Sequence, residues 1–272
     1  MRITTSAAQG ASATAWPTAG TGGDAATSAT LVFVIPVYNE EENLPRLLAE
    51  FEARPSLLGD GSRVILVDDG SRDRTPEIVR AYAGPVPVEL VQLDRNRGPG
   101  AAFRAGFDAA LAEVPDDGFV VTLEGDTTSD LDALPEMLDR AVAGADLVVA
   151  SWRMVNVNRR RRILSAGAGF MVRHALGLDA HTVSSFFRVY RVSALHAANE
   201  RYGATLIEEE GFACAAELLA KLARMGMRVD EVPVRLDWTR RAGKSKMPVA
   251  ATILGYWRML LRARAAGEPA RG

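Results

Sequence analysis

The sequence predicts an α/β protein: a single, Rossmann-like domain built on a mixed, mostly parallel sheet flanked by helices. From Leu31 onward, short apolar runs of strand length alternate with longer amphipathic stretches. In the first of those stretches the apolar residues recur at helical spacing, at Leu44, Leu47, Leu48 and Phe51. This alternation is typical of sheets whose parallel strands are joined by helices.

Strands and helices alternate regularly through the first half. The predicted strands are Leu31–Pro36, Arg63–Asp68, Val88–Leu93, Phe119–Glu124 and Asp146–Ser151. The predicted helices between them are Glu41–Ala53, Thr75–Ala83, Ala101–Glu113 and Leu131–Ala143. Asn39 and Asp73 stand just before two of these helices, where such side chains often cap a helix start.

The second half continues the pattern less regularly. A basic run, Arg159 to Arg162, opens a predicted helix that extends through Gly177. Further predicted elements are a strand at Ser184–Arg191, a helix at Gly211–Met225, a strand at Val229–Val234 and a helix at Pro248–Arg264. The polar and basic stretch Trp238–Lys246 is predicted to be a loop.

Composition divides the chain into three parts. Residues 1–30 are dominated by Ala, Thr, Ser and Gly, which predicts a disordered leader without the apolar segment of a signal peptide. Residues 31–247 form the predicted domain, and residues 248–272 a C-terminal amphipathic helix and tail. Because no run of about 18 apolar residues occurs, we expect no transmembrane helix.

Net charge and cysteine content indicate which partners and which cellular compartment to expect. The net charge of −2 excludes a bulk attraction to nucleic acid, so we expect no nucleic-acid partner. Cys214 is the single cysteine, so no intrachain disulfide can form. This is typical of a reducing cytoplasm, and we predict a cytoplasmic protein.

Carboxylates stand where predicted strands end. Glu40 follows the first strand, and Asp68 and Asp69 end the second. Glu124 and Asp126 end the fourth. The ends of parallel strands share one edge of a sheet, and ligands bind there. Acidic groups at such an edge suit a divalent cation and a polar ligand such as the base and ribose of a nucleotide.

Two further segments suit a nucleotide. Asn96–Ala102 is a glycine-containing entry to a helix, and free N–H groups at a helix start can hold phosphate. Pro36 lets the backbone approach a planar base, which places Tyr38 and Glu40 near it. Taken singly, each segment is also ordinary turn chemistry.

The order and spacing of these segments resemble family 2 glycosyltransferases, the inverting sugar-nucleotide enzymes of the GT-A fold. The resemblance implies that the nucleotide is held by Pro36, Tyr38, Glu40, Asp68, Asp69 and Gly98. It also implies that Glu124 and Asp126, on either side of Gly125, bind Mg²⁺ or Mn²⁺ and through it the donor diphosphate. Here Glu124 stands where the family has its first Asp, and Thr128 where close relatives often have Gln or His.

The second half resembles the dolichol-phosphate-mannose-synthase-like branch of that family. The matching segments are Ser151–Arg153, Arg161–Ser165, Ser184–Arg191 and Glu231–Lys246, with Glu217 in the preceding helix. The resemblance implies that catalytic Arg153, Arg162, Arg240 and Lys246 surround phosphate groups together with Asp126. It implies that the acceptor contacts Ser165, Ser184, Arg188 and Glu217. Ser185 and Phe186 replace smaller residues on this acceptor side.

The implied reaction moves a hexose from a GDP- or UDP-linked donor to a polyprenyl or dolichyl phosphate. A phosphate monoester is already ionised near neutral pH, so no general base is needed. An alternative keeps the donor but uses a small-molecule hydroxyl, which needs a base such as Glu208, Glu209 or Glu210. A catalytically inactive protein of the same fold is a further alternative. A nucleotidyltransferase would show a glycine-rich basic loop after the first strand, and this chain does not.

The C-terminal helix carries apolar and aromatic residues flanked by Arg258, Arg262 and Arg264. This pattern is typical of a helix that lies in a membrane interface, which would make the protein a peripheral membrane protein at the inner face. A helix that covers the sheet, or one that forms a dimer contact, has the same pattern.

Overall fold

The protein is described here from a computed structural model, which describes residues 4–7, 29–59, 61–154, 181–236, 242 and 247–265. Its strands are β1 (Thr4–Ala7), β2 (Leu31–Val37), β3 (Arg63–Asp68), β4 (Val88–Gln92), β5 (Phe119–Thr122), β6 (Leu147–Met154), β7 (Arg188–Arg191) and β8 (Val229–Leu236). They form an eight-stranded sheet in the order β1-β4-β3-β2-β5-β7-β6-β8.

The centre of the sheet is parallel. β4, β3, β2 and β5 run side by side in the same direction. β7 lies antiparallel between β5 and β6, β8 is parallel to β6, and β1 is antiparallel to β4 at the other edge. The carboxyl ends of the parallel strands therefore meet at one edge, which is where Val37, Asp68 and Thr122 lie.

Helices cover both faces of the sheet. They are α1 (Leu44–Glu52), α2 (Thr75–Ala81), α3 (Pro99–Leu111), α4 (Leu134–Val142), α5 (Val192–Tyr202), α6 (Cys214–Arg224) and α7 (Val249–Ala265). Val32 and Val34 of β2 pack in the apolar cluster that includes α3, α6 and α7, whereas Phe33 and Ile35 pack with α1 and α4. The alternation along β2 follows from the two-residue period of a strand.

The predicted alternation of strands and helices is confirmed, with local differences. The strand predicted from Ser184 begins only at Arg188, because pairing with β5 and β6 is confined to Arg188–Arg191. The helix α5 was not predicted. Thr4–Ala7, predicted to be disordered, pair with β4 as an edge strand. The domain boundaries remain a prediction.

Several predicted features lie outside the described residues. They are the helix predicted from Arg159 to Gly177 and all of the loop Trp238–Lys246 except Ala242. Among the helices that the structure describes, none is long and apolar enough to cross a membrane.

Candidate functional site

The turn after β2 is tied to the turn after β3. Asn39 has a positive φ of 52°, a conformation that asparagine tolerates. Its N–H donates to Ser71 Oγ at 2.8 Å, and its Oδ1 accepts from Arg72 N at 2.8 Å. Asn39 therefore joins two strand ends rather than capping α1 as predicted. Asp73 does accept a hydrogen bond from the N–H of Thr75, the first residue of α2.

Glu40 is buried at the sheet edge where β2 ends. Tyr38, two residues earlier in the same turn, is half-buried. The N–H of Glu40 donates to Thr75 Oγ1 at 2.7 Å, and its carboxylate accepts from Asn43 Nδ2 at 2.6 Å. Asn43 also exchanges two hydrogen bonds with the backbone of Ala242, at 2.9 and 3.2 Å. The turn after β2 is thus joined to a residue of the predicted basic loop.

Asp68 and Asp69 have different environments although they are neighbours. The Asp68 carboxylate accepts from Ser71 N at 3.0 Å and from Gln92 Nε2 at 2.9 Å, so it holds its own turn. Asp69 accepts from the backbone N–H groups of Arg97 and Gly98 at 2.8 and 2.7 Å. Burial raises the pKa of Asp69 to about 6, although these hydrogen bonds oppose the rise.

The glycine-containing entry to α3 is shaped by a second backbone segment. Gly98 has a positive φ of 98°, and Gly100 N donates to Glu210 O at 2.8 Å. A Cβ added to Gly100 would lie 1.9 Å from Glu209 O, so only glycine fits. Because the N–H groups of Arg97, Gly98 and Gly100 are engaged within the protein, the geometry does not support the phosphate cradle predicted here.

The acidic turn after β5 is packed against the end of β2. A Cβ added to Gly125 would lie 2.9 Å from both Pro36 O and Val37 Cγ1, which explains the glycine between the two acids. Asp126 is buried, and its Oδ1 accepts from both the N–H and the hydroxyl of Thr128, at 3.2 and 2.6 Å.

Glu124 shares this turn with Asp126. Its two carboxylate oxygens accept from Ser129 Oγ at 2.7 Å and from Phe186 N at 3.3 Å. Burial, with a smaller contribution from the negative charge of Asp126, raises the pKa of Glu124 to about 7. A cation between the two acids would offset both effects.

The two acids fit a divalent ion that is held together with a phosphate ligand. Within the described ranges, no group of three or more His, Cys, Asp or Glu side chains converges to form a cage. Mg²⁺ is commonly bound by one or two carboxylates plus substrate phosphates, with water completing its shell. The hard oxygens of Glu124 and Asp126 match that donor set.

The residues predicted to contact the acceptor are largely buried. Arg188 donates to Ala215 O at 2.7 Å and to Val183 O at 2.9 Å, inside the core. Glu217 is also buried, and Ser184 is exposed. The side chain of Arg153, in β6, lies outside the described part, as do Arg162, Ser165, Arg240 and Lys246.

Glu217 organises the segment that precedes α6. Its Oε2 accepts from the N–H groups of Glu208 and Glu209 at 3.0 and 2.8 Å, and its Oε1 accepts from Lys221 Nζ at 2.7 Å. Glu209 in turn pairs with Arg258 and Arg262 of α7, each at 3.0 Å. Sequence reasoning missed this connection, as it missed Asn43, because no local pattern links residues so distant in the chain.

The fold and the acidic edge define a GT-A glycosyltransferase. Glucosyl-3-phosphoglycerate synthase from Mycobacterium tuberculosis, crystallised with Mn²⁺, UDP-glucose and phosphoglyceric acid, shares the fold with a TM-score of 0.64. The match covers 93% of this chain and 87% of the synthase at 20% identity, so it supports the fold alone. Residues 32–197 match the family model "Glycosyl transferase family 2", and the chain belongs to that family.

Its curated relatives include several enzymes named for lipid-phosphate acceptors. Polyprenol monophosphomannose synthase of Mycolicibacterium smegmatis is 33% identical over 81% of this chain and 82% of its own length. Undecaprenyl-phosphate mannosyltransferase of Micrococcus luteus is 32% identical over 88% of this chain and 97% of its own length. Undecaprenyl-phosphate 4-deoxy-4-formamido-L-arabinose transferase of Pseudomonas paraeruginosa is 37% identical over 66% of this chain. The chain spans only about half of that last relative, 53% of its length.

Proposed function

We propose that the protein is an inverting glycosyltransferase that moves a hexose from a GDP- or UDP-linked donor to a polyprenyl phosphate. One observation carries this proposal: the ends of β2, β3 and β5 bring Glu40, Asp69, Glu124 and Asp126 to a single sheet edge. The names of the relatives that match most of this chain supply the acceptor class.

In this proposal the nucleotide base lies against the turns after β2 and β3. Asp69 is the residue that contacts the base, because its carboxylate is held in place by two backbone N–H groups and still has unused lone pairs. Pro36, Tyr38 and Glu40 form the opposite side. Asp68 and Gly98 contribute indirectly, since Asp68 fixes the turn and Gly98 fixes the carboxylate of Asp69.

The donor diphosphate is proposed to lie at the turn after β5. Glu124 and Asp126 would hold Mg²⁺ or Mn²⁺ there, and the ion would stabilise negative charge on the departing diphosphate. Solved structures of the same fold contain Mn²⁺ or Mg²⁺ with UDP. Arg153, Arg162, Arg240 and Lys246 are proposed to bind the phosphate groups of donor and acceptor, since guanidinium and ammonium groups pair well with phosphate oxygens.

The acceptor phosphate needs no general base, because it is already ionised near neutral pH. Catalysis then consists of holding the phosphate oxygen opposite the leaving diphosphate and neutralising charge. Ser165 and Ser184 are proposed to contact the acceptor. Arg188 and Glu217 are proposed to support the site from within the fold, since their polar atoms bind the backbone around α6.

The ion pairs of the three consecutive acids argue against a hydroxyl acceptor. That alternative needs a general base from Glu208, Glu209 or Glu210. Glu208 pairs with Lys221, Glu209 with Arg258 and Arg262, and Glu210 with Arg97. Each carboxylate is therefore committed to a cation, and a phosphate acceptor that needs no base suits the site better.

Two measurements test the proposal. Calorimetry with GDP- and UDP-sugars, with and without Mn²⁺, is expected to show metal-dependent binding of one nucleotide. Transfer of the sugar is then compared between a short, water-soluble polyprenyl phosphate and the matching polyprenol. Product from the phosphate alone supports the proposal. Product from the alcohol would instead establish a hydroxyl acceptor, and no donor binding would indicate an inactive protein.

The place of action follows from the acceptor. A polyprenyl chain resides in a bilayer, so we propose that the protein works in the cytoplasm at the inner face of a membrane. No nucleic-acid partner is proposed, in keeping with the net charge of −2.

A further inference from the structure

The exposed large apolar side chains of the described residues are concentrated on α7. Those side chains are Val142, Ile253, Leu254, Trp257 and Leu261, and all except Val142 belong to α7. The four side chains of α7 are substantially exposed, from 46% at Ile253 to 60% at Leu261. At about 100° of rotation per residue, the α7 members lie within an arc about 100° wide and form a single apolar stripe.

The opposite face of α7 is fixed to the protein. Tyr256, Met259 and Leu260 are buried in the same cluster as α3 and α6. Gly255 packs closely, since an added Cβ would lie 3.0 Å from Ala213 Cβ. The apolar stripe (Ile253, Leu254, Trp257 and Leu261) therefore faces outward from a helix that is already held in place.

A basic rim flanks the stripe along one side of the helix. Arg258 and Arg262 follow the stripe around the helix, and their side chains are 50% and 43% exposed. Both pair with the single carboxylate of Glu209, so the rim keeps a net positive charge. α7 itself contains no acidic residue.

We propose that the apolar stripe of α7 is a docking surface for a lipid bilayer with anionic headgroups. The inference deepens the proposed function and rests on it, because a polyprenyl phosphate must be taken from a bilayer. A narrow apolar stripe with a tryptophan and a flanking basic rim suits shallow insertion between headgroups and acyl chains. Anionic headgroups complement the rim, whereas a second copy of α7 would bring only further cations to it.

The docked helix would hold the donor edge close to the bilayer surface. Glu209 pairs with α7 through its side chain, and its backbone carbonyl packs against Gly100 at the start of α3. Gly98, in the same helix entry, binds Asp69. The bilayer-docking helix and the nucleotide-binding turn are therefore connected through one short segment.

Vesicle sedimentation tests the docking surface directly. The full chain is mixed with vesicles of phosphatidylcholine alone, or of phosphatidylcholine with phosphatidylglycerol. We expect the chain to sediment with the anionic vesicles and to be partly released by salt. The double variant Leu254→Gln/Trp257→Gln should bind at least about tenfold more weakly, since it removes two of the four apolar side chains. Val142→Gln, which alters an exposed apolar residue elsewhere, should bind within about twofold of the unchanged protein.

Three outcomes would contradict the proposal that the apolar stripe docks on a bilayer. They are no sedimentation with either vesicle, an equal loss in Val142→Gln, or an oligomer in light scattering that the double variant converts to a monomer. Sugar transfer to a short, soluble polyprenyl phosphate without vesicles separates this result from the proposed function. Transfer without vesicle binding would refute the docking surface alone, whereas vesicle binding without transfer would refute the proposed function alone.

Discussion

The carboxylate of Asp69 accepts a hydrogen bond of 2.7 Å from the backbone N–H of Gly98, a residue 29 positions later in the chain. A second bond, from Arg97, holds its other oxygen. Because the positive φ of Gly98 shapes this turn, the entry to α3 orients the acid at the end of β3. The glycine-containing segment thus contributes to the site by positioning a carboxylate.

Replacing Asp69 should change how stability depends on pH. Its pKa is about 6 in the folded protein against an ordinary value of 3.8, so between these values the folded state keeps a proton that the unfolded chain has lost. Stability therefore falls as the pH rises from 4 to about 6. Relative to Asp69→Asn, the wild type should lose about 1–2 kcal/mol over this interval, a range reduced for solvent screening.

Urea unfolding of both proteins at pH 4 and pH 7 measures this difference. The comparison cancels the other titrating groups, because both proteins share them. A wild type that gains stability relative to Asp69→Asn on going to pH 7 would show that the carboxylate is stabilised in its ionised form.

Replacing Asp126 by asparagine should greatly lower turnover while preserving the fold. The amide oxygen can still accept the two hydrogen bonds from Thr128, so the free energy of unfolding should change by less than about 1 kcal/mol. Loss of the carboxylate that we propose holds the divalent ion should lower kcat at least about 100-fold. The assay is sugar transfer at saturating donor and Mn²⁺.

The matched control is Asp139→Asn, which neutralises an exposed acid on α4. It should keep wild-type turnover. Normal turnover by a folded Asp126→Asn protein would show that Asp126 is not a ligand of the proposed metal ion.

Replacing Gly100 by alanine should destabilise the protein and weaken donor binding. The new Cβ would lie 1.9 Å from the carbonyl oxygen of Glu209, and a backbone atom cannot rotate away as a side chain could. We expect a loss of about 2–3 kcal/mol in the free energy of unfolding. Gly211→Ala is the control, since nothing lies within 4 Å of its added Cβ, and it should be nearly neutral.

Thermal unfolding and calorimetry with the donor nucleotide measure both effects. If Gly100→Ala proved as stable as Gly211→Ala, the entry to α3 would not be packed against the backbone of Glu209 and Glu210.

Replacing Glu209 by glutamine should loosen α7. The carboxylate is buried and carries the charge that binds Arg258 and Arg262, whereas those arginines are about half exposed. Breaking a buried pair costs about 3–5 kcal/mol, and water around the arginines should reduce this to about 1–3 kcal/mol. Hydrogen exchange should show faster opening of α7 in the variant.

Glu210→Gln provides the comparison, because the adjacent acid pairs with Arg97 at a more exposed position. Loss of the Glu210–Arg97 ion pair should lower the free energy of unfolding by no more than about 1 kcal/mol. Hydrogen exchange in α7 should be unchanged. Equal effects of the two substitutions would argue against a specific connection between Glu209 and α7.

The elements near the site were predictable because their signals are local. Each parallel strand is a short apolar run followed by turn residues, and the acids that follow β3 and β5 are visible in the sequence. Helix α5 was missed because it begins at Val192, directly after β7, with no turn residues between them.

The partners of the site residues were not predictable. Asn43 and Ala242 are 199 residues apart, and Arg97 and Glu210 are 113 apart, so no spacing rule connects them. Arg188 and Glu217 were predicted to contact the acceptor because they match family motifs. A motif identifies the residue type, but burial and hydrogen-bond partners depend on which elements pack together.

The contact between Glu209 and α7 limits how this fold can be divided. A protein shortened before Val249 would leave a buried carboxylate without either arginine, next to the carbonyl that packs against Gly100. The Glu209 carboxylate would then have to become protonated or be hydrated by water that enters the core. Either change would disturb the turn that holds Asp69. The half of the fold that is proposed to bind the nucleotide is therefore not a separable module. Any graft or chimaera that transfers it to another protein must carry the C-terminal helix as well.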